Sequence, residues 1–331
     1  MHRIDLLKHD RPDQACAMVE AADVGEPGPG EAVVAIRACA INPADLLIFE
    51  GRYPGPEELP APVGIEGAGV IEAVGEGVAD LAPGDHVISL GRANWAEKIR
   101  ADAATLIKVP KELSFRDAAQ LKANPPSAHL MLSQYQDLQP GDWLVQNAAN
   151  SAVGRHVIRY ARARGIKTIN VVRRDSLVPE LTELGADLVV VDGDDLGERV
   201  RAACGAEANV RLGIDAICGR ATERIADCLS DGGTVVTYGF ISGEPCVITP
   251  YHLIIHGITA AGFGLVDFMR SNDRAAIEAM YAEVSQAFLD GVLVAPVEAE
   301  YGLDQIEAAL THAHREARAG KILLTPNGPL V

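Results

Sequence analysis

Between positions 143 and 263 short apolar runs alternate with amphipathic stretches, and this alternation constrains the fold more than any other feature of the chain. Strand-like runs are read at 143–147, 167–172, 187–191, 212–217 and 233–238, with helical patterns at 153–164, 178–184, 196–204 and 221–229 between them. The runs are almost continuously apolar, as in strands buried on both faces. Alternating strands and helices of that kind predict a parallel sheet covered by helices on both sides. A further run at 258–263 is expected to add an edge strand, and 274–289 reads as a long helix leading out of the sheet.

The first strand of this unit ends in Asn147-Ala148-Ala149-Asn150-Ser151-Ala152-Val153-Gly154. A turn of small residues before a helix lets backbone N–H groups approach a pyrophosphate, and the first strand of an alternating unit is where dinucleotide folds place such a turn. Only the last glycine of the G-x-G-x-x-G pattern is present, so an ordinary strand–helix turn is the plain alternative. About 20 residues further on, where an acidic side chain would bind the ribose of NAD, stand Arg173 and Arg174. Arginines there suit the 2′-phosphate of NADP. A solvated basic helix start is the alternative, and Asp175 follows directly.

The first ~115 residues have a different texture. Short strands at 32–38, 69–74 and 86–90 are separated by turn formers such as Gly75-Glu76-Gly77 and Pro83-Gly84-Asp85, the pattern of a small β-barrel or sandwich. A helical stretch at 117–133 is interrupted by Asn124-Pro125-Pro126, and a late strand is expected at 321–324. With 331 residues, two domains are the natural expectation, divided as 1–118, 119–289 and a return over 290–331. With 29 basic and 46 acidic residues the formal net charge is −17, which argues against nucleic acid or an anionic membrane as partner. No apolar run reaches the ~18–20 residues of a membrane span, and the six cysteines are scattered without a C-x-x-C pair. A reduced, cytoplasmic protein with buried free thiols is the expectation. His252 and His256 stand four apart without a general base or third ligand nearby, and no G-x-S-x-G is present.

Several segments together resemble the medium-chain dehydrogenase/reductase superfamily and, within it, the NADPH-dependent 2-enoyl thioester reductases of mitochondrial-type fatty acid synthesis. They are Asn42-Pro43-Ala44-Asp45, Gly51-Arg52-Tyr53-Pro54, Gln120-Leu121-Lys122-Ala123-Asn124-Pro125-Pro126, Leu138-Gln139-Pro140-Gly141-Asp142, the 146–151 turn, the 168–173 strand and the 232–239 strand. The resemblance implies an α/β Rossmann cofactor domain with a parallel sheet, plus a GroES-like β-barrel substrate domain. It implies Tyr53 as proton donor. It also implies NADPH contacts from Asn42, Asn124, Asn150, Ser151, Ala152, Val153, Arg173, Arg174, Tyr238, Gly239, Phe263, Leu265 and Lys321. Two departures stand out: Ala152 replaces a glycine usual in the turn, and Gly264 stands where the family often has Trp. Zinc-dependent alcohol dehydrogenases of this architecture use a Cys, a His-Glu pair and a later Cys or His. Here Asn42 and Ile65 occupy the first two places and Cys39 lies three residues early, so no metal is expected.

The chemistry implied is transfer of a hydride to the β-carbon of an α,β-unsaturated thioester, carried by coenzyme A or an acyl carrier protein, with a proton delivered to the α-carbon. The developing enolate oxygen needs hydrogen-bond donors. Reduction of a quinone by NADPH is the alternative within the superfamily, and NADPH binding with vestigial activity is a third. Relatives of this length pair through the edge strand of the cofactor sheet, so a homodimer is expected.

Overall fold

The computed structural model describes residues 1–205, 207–315 and 318–330. The chain forms two compact units, one from residues 1–123 and 278–331, the other from 124–277. The second division falls inside the helix Arg274–Leu289, ahead of the return at 290 read from the sequence.

In the 124–277 unit the described residues form a six-stranded sheet, all of its pairings parallel. Its spatial order is Leu188–Val191, Lys167–Val172, Trp143–Gln146, Val210–Asp215, Thr234–Thr237, Thr259–Gly262. The chain starts in the middle, moves out to Leu188–Val191, then returns across its starting strand to build the other half. The C-terminal end of Trp143–Gln146 is therefore a topological switch point, where neighbouring connections leave in opposite directions and a ligand crevice opens. Val145, Ile169, Val171, Val210 and Val235 are buried in one apolar cluster. The helix Ala152–Ala163 covers the sheet with Val153, Val157, Ile158 and Ala161 inward.

The sheet centre also holds polar side chains. Gln146 Nε2 donates to Asn170 Oδ1 at 2.8 Å and to the Gly154 carbonyl at 2.9 Å. Asn170 Nδ2 in turn donates to Thr168 Oγ1 and the Leu188 carbonyl. Each amide is buried, and each is hydrogen-bonded, as burial of a polar group requires. The interrupted helical stretch expected at 117–133 is two helices, Phe115–Ala118 and Asn124–Gln134. Pro125 and Pro126 start the second one, because the first turn of a helix does not need their missing N–H groups.

The first unit is built on Glu31–Ala40, which pairs antiparallel with Ala68–Val74, Lys98–Asp102 and Lys321–Leu324. Val297–Tyr301 lies beyond Lys321–Leu324 and pairs with it in parallel. The core includes Ile4, Leu6, Ile36, Ile71, Trp95, Leu106, Leu310, Ile322 and Leu324. Gly64 has φ +116, and a Cβ there would lie 2.3 Å from the Trp95 ring. Only glycine lets the chain turn so close to that indole and bring Glu66 inward. No described helix is long and apolar enough to cross a membrane.

Candidate functional site

In the first unit the helix Pro43–Phe49 gathers a buried polar cluster at its N-terminus. Pro43 suits the first helical position, and Asp45, two residues later, reaches back to the Asn42 N–H at 2.8 Å. The other Asp45 oxygen accepts from the Ile65 N–H at 3.0 Å. Glu66, fully buried, accepts from Asn42 Nδ2 at 2.7 Å and from the Ala123 N–H at 2.8 Å. Asn42 completes a chain by accepting from Lys321 Nζ at 2.5 Å. Lys122 Nζ donates to the carbonyls of Ile65 and Gly91, both at 2.6 Å, and its own carbonyl accepts from the Tyr281 hydroxyl. Two ammonium and two carboxyl groups are thereby held in one region with fixed partners.

Burial dominates the protonation of this cluster. It pushes the Asp45 carboxyl up to about 7, against the two N–H bonds that favour the carboxylate. It pushes Lys122 down to about 8 and also lowers Lys321. A carboxyl whose folded pKa is raised contributes stability that is full below its unfolded pKa and is lost as pH rises through the folded value. Asp45 therefore costs the fold progressively more from about pH 4 to pH 7. Asp45→Asn removes that titration along with one acceptor. The gap in thermal midpoint between wild type and Asp45→Asn is expected to shrink between pH 5 and pH 8. A gap that widens over that range would show that the charged Asp45 is the favoured form.

Tyr53 lies on the loop after the same helix, half-buried and packed against the core. The Arg92 guanidinium sits 5.8 Å from its ring centroid and donates to the Pro54 carbonyl at 3.0 Å. Asn42 and Tyr53 thus flank the two ends of one short helix.

In the second unit the other expected residues gather at the C-terminal ends of neighbouring strands. Ser151 caps the helix Ala152–Ala163, accepting from the Gly154 N–H at 3.1 Å. Ala148 takes φ +47, and a Cβ on Gly154 would lie 2.5 Å from the Ala149 carbonyl, so turn and helix meet with no room for a side chain. Ala152 fits because it starts the helix, and the first N–H groups of a helix have no partner within it. Arg173 and Arg174 are exposed just past Lys167–Val172. Tyr238 and Gly239 follow Thr234–Thr237. Tyr238 is half-buried, and burial pushes its hydroxyl up to about 12. Phe263 follows the edge strand, its N–H on the Thr237 carbonyl, and Leu265 starts the next helix. Asn124 starts the helix Asn124–Gln134, and Asn150 accepts from Arg155 through its carbonyl.

A turn of small residues on a helix N-terminus, two exposed arginines one strand away and a tyrosine on the other side are donors of the kind a phosphorylated dinucleotide needs. The site also has an internal brace that sequence reading missed. Asp215, fully buried at the end of its strand, accepts from Asn147 Nδ2 at 2.6 Å, Thr222 Oγ1 at 2.6 Å and the N–H groups of Ile217 and Cys218. It holds the switch-point turn to the next strand. An acidic residue inside the apolar 212–217 run was the available signal.

Residues 28–111 match the model of the alcohol dehydrogenase GroES-like domain, and residues 152–283 that of the zinc-binding dehydrogenases. The mitochondrial enoyl-acyl-carrier-protein reductase of Xenopus tropicalis is 32% identical over 92% of this chain and 89% of its own length. The chain belongs to the medium-chain dehydrogenase/reductase family. Among solved members, a putative NADPH:quinone reductase of Bacillus thuringiensis superposes with a TM-score of 0.90 at 25% identity, covering 98% of this chain and 99% of the other. The quinone oxidoreductase of Escherichia coli, solved with NADPH, gives 0.88 at 26% identity, covering 98% and 100%. Zinc-holding members of the family need a complete ligand set, and the residues here do not make one. Both Glu66 oxygens are taken by N–H donors, Asn42 is an amide in that network, and the Cys39 thiol donates to the Asn94 carbonyl at 3.0 Å. Burial holds that thiol well above its usual pKa.

Proposed function

We propose that this chain reduces the carbon–carbon double bond of a 2-enoyl thioester with NADPH. The observation that carries this reading is Tyr53, a hydroxyl on a braced loop in a chain whose full-length relatives are enoyl-acyl-carrier-protein reductases. NADPH, when bound, supplies the hydride that goes to the β-carbon. Tyr53 delivers the proton to the α-carbon. The N–H groups at Ala152 and Val153 and the capped turn before them hold the pyrophosphate, and Arg173 and Arg174 hold the 2′-phosphate. The same reading assigns further NADPH contacts to Asn42 and Lys321, joined through their hydrogen bond in the first unit, and to Asn124, Tyr238, Gly239, Phe263 and Leu265 in the second. Steady-state rates with NADPH on crotonyl-CoA and on a simple quinone test the reading. A larger kcat/KM on the thioester is expected, and a clear preference for the quinone would overturn it.

Quinone reduction is the second reading, favoured by the two solved structures named above and by Gly264, which stands where a bulky side chain is common in the thioester reductases. Such a reaction needs no proton from the protein.

The same reading includes a homodimer formed along Thr259–Gly262. That strand is paired on one side only among the described residues, and Leu253, Ile254, Ile255 and Val266 are exposed on the segments flanking it. An uncovered sheet edge invites association. Light scattering at micromolar concentration is expected to give twice the chain mass, whereas a clean monomer would refute the pairing. A cytoplasmic location belongs to this proposal as well, and fractionation of the source cells checks it.

A further inference from the structure

Cys218 and Cys246 are far apart in sequence, yet their sulfurs and an Asp215 carboxylate oxygen lie within 4.8 Å of one another. Cys246 Sγ also lies 3.6 Å from Thr237 Oγ1, at the end of the neighbouring strand. Backbone pairing holds them in register. Ile241 and Ser242 donate to the carbonyls of Ala216 and Ile217, and Val247 donates to that of Gly219. Cys218 is buried and takes φ +69, a left-handed conformation that a non-glycine residue adopts only when its surroundings impose it. Its thiol donates to the Gly239 carbonyl at 2.9 Å. Cys246 is exposed, on a segment, 241–246, that is exposed throughout.

Three candidate ligands so close could hold a metal, but Asp215 is already spent. Its Oδ1 accepts from Asn147, Ile217 and Cys218, and its Oδ2 from Thr222 and, at 3.4 Å, from Thr237. What remains is a pair of thiols, one open to solutes and one behind it.

We propose that Cys218 and Cys246 form an oxidisable dithiol that closes to a disulfide with a hydroperoxide and thereby weakens dinucleotide binding. With hydrogen peroxide, the Cys246 sulfur takes one oxygen to become a sulfenic acid and one water leaves. The Cys218 sulfur then attacks that sulfur, the S–O bond breaks, and the departing hydroxide takes the Cys218 proton as a second water. Two thiols are oxidised by two electrons and one peroxide is reduced. Burial, reinforced by the contact with Cys246, pushes the Cys218 thiol up to about 12. That thiol stays protonated until it reacts; because Cys246 is exposed and Cys218 lies buried behind it, Cys246 meets the oxidant first and Cys218 resolves it. Bringing the sulfurs to the ~2.05 Å of a disulfide requires movement, which the exposed 241–246 segment can supply.

A disulfide sulfur carries no proton, so oxidation strips the Gly239 carbonyl of its donor and ties the strand end to position 246. That Gly239 lies against the cofactor rests on the function proposed above; the covalent change does not.

The experiment treats the full-length reduced protein with hydrogen peroxide, maps its peptides by mass and measures NADPH affinity by fluorescence titration. A cross-linked peptide containing Cys218 and Cys246, lighter by two hydrogens and reversed by a dithiol reductant, is expected. Loss of one hydrogen bond corresponds to an NADPH Kd raised about three- to tenfold. Oxidised Cys246→Ser should show neither change. Absence of the cross-link, or an oxidised Cys246 that never reaches Cys218, overturns the site. A cross-link with unchanged NADPH affinity overturns the effect on binding. If even the reduced protein fails to bind NADPH, the cofactor reading falls, while the cross-linked peptide still decides the dithiol.

Discussion

Replacing Tyr53 by Phe is expected to lower kcat on crotonyl-CoA by about 10²–10⁴-fold, the usual contribution of a positioned general acid. The substitution removes one oxygen and keeps the ring. The packing of that ring against the first unit's core and the Arg92 guanidinium over its face are both retained. Thermal stability and NADPH affinity should therefore be close to wild type, and the loss should fall on turnover rather than on binding. Quinone reduction by the same variant should fall far less, because the product takes its protons from water. An enzyme with Phe at position 53 that turns over crotonyl-CoA at the wild-type rate would make Tyr53 a structural loop residue and move quinone reduction to the leading reading.

Converting Arg173 and Arg174 together to Ala is expected to weaken NADPH binding at least tenfold and to change NADH binding little. Both side chains are exposed just past the end of their strand, and the proposed function gives them the 2′-phosphate. Charge-assisted hydrogen bonds to phosphate are worth about 1.5–3 kcal/mol each, and solvent reduces that at an exposed site. Isothermal titration with both cofactors checks it. Equal losses for NADPH and NADH would assign the arginines to the fold rather than to the phosphate. The effect should also shrink as salt is added, since the pair is open to screening.

The parallel sheet was legible because its signal is local: each buried strand is a short apolar run, and each covering helix shows its own periodicity within a dozen residues. The capped turn at Ser151 and Gly154 was legible for the same reason. Three features were not, and each depends on distance along the chain. Glu66, Asn42 and Lys321 meet although Lys321 lies near the other end of the sequence, and nothing in its neighbourhood marks it as the partner of an amide. Gln146 and Asn170 interrupt apolar strands and would count against burial by composition, yet the Gln146 amide donates to the Asn170 carbonyl oxygen across the neighbouring strands. Cys218 and Cys246 fit no recognised spacing, because backbone pairing of the strand-end segments brings them together rather than a motif. The double proline at 125–126 was legible as the interruption it is, and the structure adds that it begins the second helix.

The divided first unit also sets an order on biogenesis. The 124–277 unit is contiguous, and every strand of its sheet is present once residue 262 has been made. The 1–123 segment cannot finish until residues up to 324 have been made. Its central strand Glu31–Ala40 pairs with Lys321–Leu324, and its core needs Leu310, Ile322 and Leu324. Contacts of such long sequence separation form late. A nascent chain halted near residue 300 would therefore carry a completed dinucleotide unit beside an N-terminal segment with an unpaired strand and exposed apolar side chains. Such a species is a natural client for chaperones. Lys321 lies on the strand that closes this unit, so completion of its fold and placement of the ammonium beside Asn42 are one event, and a chain shortened at its C-terminus loses both together.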